Sequence, residues 1–279
     1  MPQRLRRGDR FEFDPEMARR VVRYLDPIFR YYFRAEVRGT ERLPPEQTML
    51  VANHDGGMLP IDALIIGAAW HRHFNFKRPL HFLVHDMVLR FVDGLRRIGA
   101  VLADRQNLDR VMDAGHSVLI YPGAAGETFR PFWERKRITL GGRTGFIRHA
   151  LRRRLRVTPV VSAGVHETFF VLARGTWFAE RAGFRRLFRA DVFPIVAGLP
   201  LGIWPGACFP QLPLPAKITC EILEPIDIVA LAEQILGRPL SAADLDDPKL
   251  AEMCFNFVRE RMQQALDRLY AERKRPIIG

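Results

Sequence analysis

His54 stands beside Asp55 and eight residues before Asp62, in the stretch Met49-Leu-Val-Ala-Asn-His-Asp-Gly-Gly-Met-Leu-Pro-Ile-Asp62. An imidazole titrates near working pH and serves well as a general base. A carboxylate on its second ring nitrogen would fix the tautomer and stabilise the imidazolium. The adjoining Gly56-Gly57 turn leaves room for a substrate to approach closely. The same residues also fit a capping or hydrogen-bonded structural histidine, so the cluster alone does not decide the chemistry.

Three further clusters follow in order. Gly99-Ala-Val-Leu-Ala-Asp-Arg105 puts an arginine just after an apolar run, where a guanidinium can hold phosphate bidentately or pair with Asp104 or Asp109. Tyr121-Pro-Gly-Ala-Ala-Gly-Glu127 is a glycine-rich turn. Backbone N–H groups at Gly123, Ala124 and Gly126 would suit a phosphate or a developing oxyanion, and Glu127 either meets an acceptor hydroxyl or anchors the loop. Val157-Thr-Pro-Val-Val-Ser-Ala-Gly164 reads as a strand ending in a small-residue turn.

The elements that must carry these clusters alternate. Apolar runs at 49–52, 80–84, 99–102, 117–121, 157–162 and 217–223 read as strands, and the segments between them include helical patterns at 61–70, 108–114 and 144–154. That alternation predicts an α/β fold with a mainly parallel sheet flanked by helices. His54 then lies where a strand hands over to a helix that begins at Pro60, the edge at which such sheets place their sites. Asp14-Pro15-Glu16 starts an N-terminal amphipathic helix with a basic face, which Pro27 should kink or split. The expected organisation is a basic helical segment over 1–46 and an α/β domain over 47–279, closed by a helix over 247–273.

The 279 residues suffice for one sizeable domain. The net charge of +12, from 43 basic and 31 acidic residues, favours an anionic partner: lipid surface, nucleic acid or phosphorylated substrate. Residues 192–216 carry no charge but include six prolines, which excludes a continuous spanning helix and predicts an apolar loop on the protein or on lipid. Three unpatterned cysteines, Cys208, Cys220 and Cys254, suggest a reduced, cytoplasmic setting. His71, His73, His81 and His85 lack a third ligand at a diagnostic spacing, so no metal is expected.

Together and in this order, the four clusters resemble the glycerolipid acyltransferase (PlsC-like) superfamily. The likeness covers roughly residues 48–165, and residues 217–227 resemble its late strand. The Pro122-Gly-Ala-Ala-Gly-Glu127 loop is closer to the diacylglycerol acyltransferase-like branch than to lysophosphatidate acyltransferases. The superfamily spaces its histidine and aspartate as H-x4-D; here Asp62 lies eight residues after His54, as in the divergent branch, and Asp55 is the reserve. His81-Phe-Leu-Val-His-Asp86 carries the H-x4-D spacing literally, but His81 sits inside a strand pattern with no glycine turn.

The resemblance implies a glycerolipid acyltransferase-like fold. It also implies acyl transfer from an acyl thioester (acyl-CoA or acyl carrier protein) to a lipid hydroxyl, with no further cofactor. His54 would take the hydroxyl proton, Asp62 or Asp55 would orient it, and attack would be direct, without an acyl-enzyme. Arg105, with Lys136 and Arg143, would hold phosphate on the acceptor or on CoA. The enzyme would work peripherally at the cytoplasmic face of a membrane bearing anionic lipid. The rival expectation is a non-catalytic basic protein that binds lipid or nucleic acid; the nucleic-acid form lacks a recognisable binding motif.

Overall fold

The computed structural model describes residues 13–54, 60–84, 89, 93–181, 192–200, 202–206 and 212–275. At its centre is β2 (Thr48–Ala52), with all five residues buried. A strand covered on both faces reads as a continuous apolar run rather than an alternating one. β2 pairs in parallel with β5 (Ser117–Ile120) on one side and β6 (Arg156–Ala163) on the other. Beyond β5, β3 (Leu80–Val84) and β4 (Ala100–Leu102) continue the parallel set. Beyond β6, β10 (Thr219–Ile222) runs antiparallel and is flanked by β1 (Glu36–Arg38). The order is β1-β10-β6-β2-β5-β3-β4, with β11 (Ile226–Asp227) pairing separately with β6. The expected mainly parallel sheet is therefore present, with its five-strand parallel core around β2.

Helices cover both faces. On one lie α1 (Pro15–Pro27) and α2 (Ile61–His73). Asp14 caps α1 by accepting from the Glu16 and Met17 N–H groups at 3.0 Å each, and Pro15 stands at the first position. Pro27 ends the α-helical part, and the chain continues as a π-helical turn, Ile28–Tyr32. Ala18, Val22, Phe29, Ile66 and Trp70 join the core of this face. On the other face lie α3 (Arg105–Asp113), α5 (Gly145–Arg153), α7 (Ile228–Leu236) and the long α8 (Pro248–Glu272), with α4 (Ala124–Thr128) at the sheet edge.

The uncharged, proline-rich run departs from the expected loop. β8 (Ile195–Gly198) and β9 (Gly202–Pro205) form an antiparallel hairpin that extends β7 (Phe170–Ala173) into a separate three-stranded sheet, with α6 (Thr176–Arg181) close by in sequence. The prolines explain why a hairpin is possible. Pro194 precedes β8, Pro200 lies in the turn and Pro205 ends β9, so none interrupts a strand interior. Among the described residues no helix is long and apolar enough to cross a membrane. Cys220 and Cys254 are buried free thiols, while Cys208 lies outside the described residues.

Candidate active site

The five parallel strands share one direction, and Asn53 and His54, Tyr121 and Arg105 each follow the end of one of them. Asn53 and His54 follow directly on β2. Asn53 is buried; its Nδ2 donates to the Ser162 carbonyl at 3.0 Å, and Ser162 N–H donates to its Oδ1 at 2.8 Å. This clamp fixes the chain direction one residue before His54. The half-buried His54 ring packs against Tyr121, which follows β5, with centroids 4.9 Å apart.

Asp62 lies in the first turn of α2 and is fully buried, with Oδ1 accepting from the Ala63 N–H at 2.8 Å. Asp55 and the Gly56-Gly57 turn lie outside the described residues.

The Pro122–Glu127 stretch is not an open loop. Residues 124–128 form α4, a single helical turn at the end of β5. Glu127 is buried, and Oε1 accepts from the N–H groups of Thr139 and Leu140, both at 3.1 Å, and from the Thr139 hydroxyl at 3.3 Å. It anchors the following segment, one of the two roles the sequence allowed. A Cβ on Gly123 would stand 2.1 Å from Glu127 Oε2, so glycine is needed there because the glutamate folds back over it. Gly126 faces open space.

Arg105 opens α3 after β4. Its guanidinium is largely exposed, with Asp109 at 3.9 Å. β4 is three strand positions from β2, roughly 14 Å across the sheet. Lys136 and Arg143 are exposed on the segment that Glu127 anchors; Lys136 Nζ lies 5.5 Å from the Tyr270 ring. A cleft of about 540 Å³ separates this segment from α8, lined in part by Arg137, Thr139, Thr144, Asn256 and Arg259.

Two further described histidines, His81 and His71, are held in the core. His81 is buried in β3, with Nδ1 3.1 Å from the Gly99 carbonyl and Nε2 3.0 Å from His116 Nδ1. It sits near the start of β3, in register with Val118, away from the edge that carries His54. Burial pushes it down to about 4, with the neighbouring His116 adding to the effect. His71 stacks on Phe13 and Phe76, at 5.0 and 5.8 Å, and burial likewise pushes it down to about 4. His85 and Asp86 lie outside the described residues.

Two buried residues beside the site carried no motif in the sequence: Arg130 and His166. Arg130 Nη2 lies 3.0 Å from His166 Nε2 and Nη1 lies 3.8 Å from Glu127 Oε1. The available signal was a polar run, His166-Glu167-Thr168, set between an apolar strand and Phe169-Phe170.

A family model described as diacylglycerol acyltransferase matches residues 8–274. An uncharacterized protein of Mycobacterium leprae is 30% identical over 275 residues, covering 97% of this chain and 70% of the relative. One from Mycobacterium tuberculosis is also 30% identical, over 97% of this chain and 72% of its own. The mouse protein named diacylglycerol O-acyltransferase 2-like protein 6 is 27% identical over 218 residues, 72% of this chain and 63% of the relative. The crystal structure of the 1-acyl-sn-glycerophosphate acyltransferase PlsC from Thermotoga maritima has a TM-score of 0.49 and 15% identity, covering 94% of this chain and 80% of that one. The family match takes in β1 through α8, and with them every described residue of the candidate site: the chain belongs to the diacylglycerol acyltransferase family and is an O-acyltransferase.

Proposed function

We propose that this acyltransferase moves a fatty acyl group from an acyl thioester, on CoA or a carrier protein, to the hydroxyl of a lipid acceptor. The observation that carries the reading is His54 at the end of the central strand, its ring against the start of the Tyr121–Glu127 turn, in a member of this family. His54 removes the proton of the acceptor hydroxyl as its oxygen attacks the thioester carbonyl. The tetrahedral intermediate collapses with loss of the thiolate, which takes up a proton, and no acyl-enzyme forms. Asp62, with Asp55 as the alternative, orients the imidazole. Backbone N–H groups at Gly123, Ala124 and Gly126 stabilise the oxyanion. Arg105, Lys136 and Arg143 hold phosphate on the acceptor or on the donor.

The acceptor reaches the site from an anionic membrane surface on the cytoplasmic side. Exposed Tyr24, Ile28 and Tyr31 on the N-terminal helical segment, and exposed Ile203, Trp204 and Leu212 in and beside the small sheet, support this reading. The two groups are joined where the Tyr32 hydroxyl donates to the Pro213 carbonyl at 2.6 Å. Tyr and Trp suit the boundary between headgroups and acyl chains, and arginines such as Arg30, over the Tyr31 ring at 5.4 Å, suit anionic headgroups.

The test is thiol release from acyl-CoA against a panel of lipid acceptors, presented in neutral and anionic vesicles, for the native protein and His54→Ala. Release that depends on acceptor and falls by about 10²–10⁴-fold in the variant is expected. Undiminished release by His54→Ala would sink the mechanism.

A further inference from the structure

The cleft of about 540 Å³ between residues 137–144 and α8 is separate from the His54 pocket. Its volume falls within the roughly 300–1,000 Å³ of small-molecule sites. Its two walls are tied together. Gln263 of α8 accepts from the Ile138 N–H at 2.8 Å and donates to the Lys136 carbonyl at 2.8 Å. Phe146 of α5 and Phe255 of α8 pack with ring centroids 6.1 Å apart. Glu127 holds Thr139 and Leu140 through their N–H groups. The cleft is therefore built before a ligand arrives, which lowers the ordering cost of binding.

Glu252, Asn256 and Arg259 stand at i, i+4 and i+7 on α8, so they share one stripe, and all three line the cleft. Arg137 and Thr144 line it from the other wall. Arg137 is exposed and Arg259 half-buried. Among the described residues neither guanidinium pairs with a carboxylate. Arg152, Arg153 and Arg268 on the same helices do pair, with Asp246, Asp109 and Glu221. Thr144 makes no side-chain cap bond to α5, which leaves its hydroxyl for a ligand. Ile138 and Phe255 add apolar surface.

Two guanidiniums on opposite walls of one cleft suit a phosphate dianion, which each can hold with paired N–H groups. Glu252 disfavours a bare anion there. A carboxylate and an amide beside the two cations instead accept from, and donate to, hydroxyl groups. We propose that the cleft binds a phosphate monoester carried on a hydroxylated organic body, the chemistry shared by a nucleotide's ribose phosphate and a glycerol phosphate headgroup. Arg137 and Arg259 hold the phosphate, Glu252 and Asn256 read the hydroxyls, and Ile138 and Phe255 receive the carbon skeleton. The wall of the cleft also backs the glycine-rich turn: Thr139 is shared with the Glu127 anchor, and a Cβ on Gly141 would stand 3.1 Å from Gly123 Cα.

The experiment titrates the full chain with adenosine 3′,5′-bisphosphate, glycerol 3-phosphate and inorganic phosphate by calorimetry, at about 0.15 M salt to screen remote surface charge. The native protein is compared with Arg137→Gln, Arg259→Gln and Arg23→Gln. The last removes the same charge from an exposed position on α1, across the sheet. At least one organic phosphate is expected to bind about tenfold or more tightly than inorganic phosphate, and each cleft variant to weaken it about tenfold, with Arg23→Gln within about twofold of native. Preference for the bisphosphate supports the proposal with a nucleotide as occupant; preference for glycerol 3-phosphate supports it with a lipid headgroup. The proposal is overturned if neither organic phosphate binds, if neither binds more tightly than inorganic phosphate, or if the cleft variants lose no more affinity than Arg23→Gln. The substituted side chains reach solvent, and thermal melts confirm that the variants fold. No thioester or acyl acceptor enters the measurement, so its result is separate from that of the acyl-transfer assay.

Discussion

Asn53 and Ser162 each donate to and accept from the other across β2 and β6, at 3.0 and 2.8 Å. These bonds join residues 109 positions apart and close the sheet immediately before His54. Both partners are buried, so neither lost bond would be replaced by water.

Asn53→Ala is therefore expected to destabilise the protein by about 1–3 kcal/mol, the cost of stranding a buried backbone group. It should also lower kcat, because the His54 main chain loses its anchor. Denaturant midpoints and thiol-release rates on the same preparations check both. A variant with native stability and native kcat would show that the clamp holds nothing of consequence.

Gly123→Ala and Gly126→Ala should behave oppositely although four residues span both. A methyl at 123 meets the Glu127 carboxylate at 2.1 Å and its Cβ at 2.4 Å, whereas one at 126 meets nothing within 4 Å. The first is expected to cost about 1–3 kcal/mol by overpacking. The second should be neutral or raise Tm slightly, since alanine favours the helical turn. Thermal melts of the two variants decide the matter, and equal losses would mean that Glu127 does not fold over Gly123.

Acid should weaken the protein through its buried histidines. The folded pKa values of His71 and His81 lie near 4, below the ordinary 6.5 of the unfolded chain. The unfolded state therefore binds these protons first, and stability falls as pH drops from about 6.5 to about 4, by up to about 3 kcal/mol per histidine. Among the described residues the His71 ring stacks on Phe13 and Phe76. His71→Phe should keep the fold and flatten the loss by as much as one proton, measured as the slope of unfolding free energy against pH. An unchanged slope would show that His71 is not buried neutral.

Arg105→Ala should leave the unfolding free energy within about 0.5 kcal/mol of native, because the side chain is exposed and its partner Asp109 also holds Arg153 at 3.0 Å. If Arg105 holds phosphate, KM for the phosphorylated substrate rises by about tenfold or more and kcat changes little. A lowered kcat with native KM would assign it to another role.

Much of the frame was legible because it is local. The apolar run at 49–52, the Asp14 cap and the strand ending just before His54 are each written in a few consecutive residues. What escaped the sequence is long-range or context-driven. The Asn53–Ser162 clamp and the Arg130–His166 contact join residues 109 and 36 positions apart, and no spacing rule encodes either. The turn at 124–128 reads as a loop from its glycines, yet Glu127 bonding forward to Thr139 and Leu140 accompanies one helical turn. The 192–216 run reads as a loop from its prolines, but their placement at strand ends permits a hairpin.

The pairing of β1 with β10 has a consequence for how the chain is made. Val37 meets Cys220, and Glu36 N–H donates to the Ile218 carbonyl at 2.9 Å, so an edge synthesised early is completed by a strand that emerges some 180 residues later. Contacts of such separation form slowly. At typical synthesis rates of about 5–20 residues per second, the early edge waits on the order of ten seconds or more on the ribosome without its partner. During that interval Glu36 and Arg38, the charged residues on either side of Val37, are what discourages it from pairing with another nascent chain.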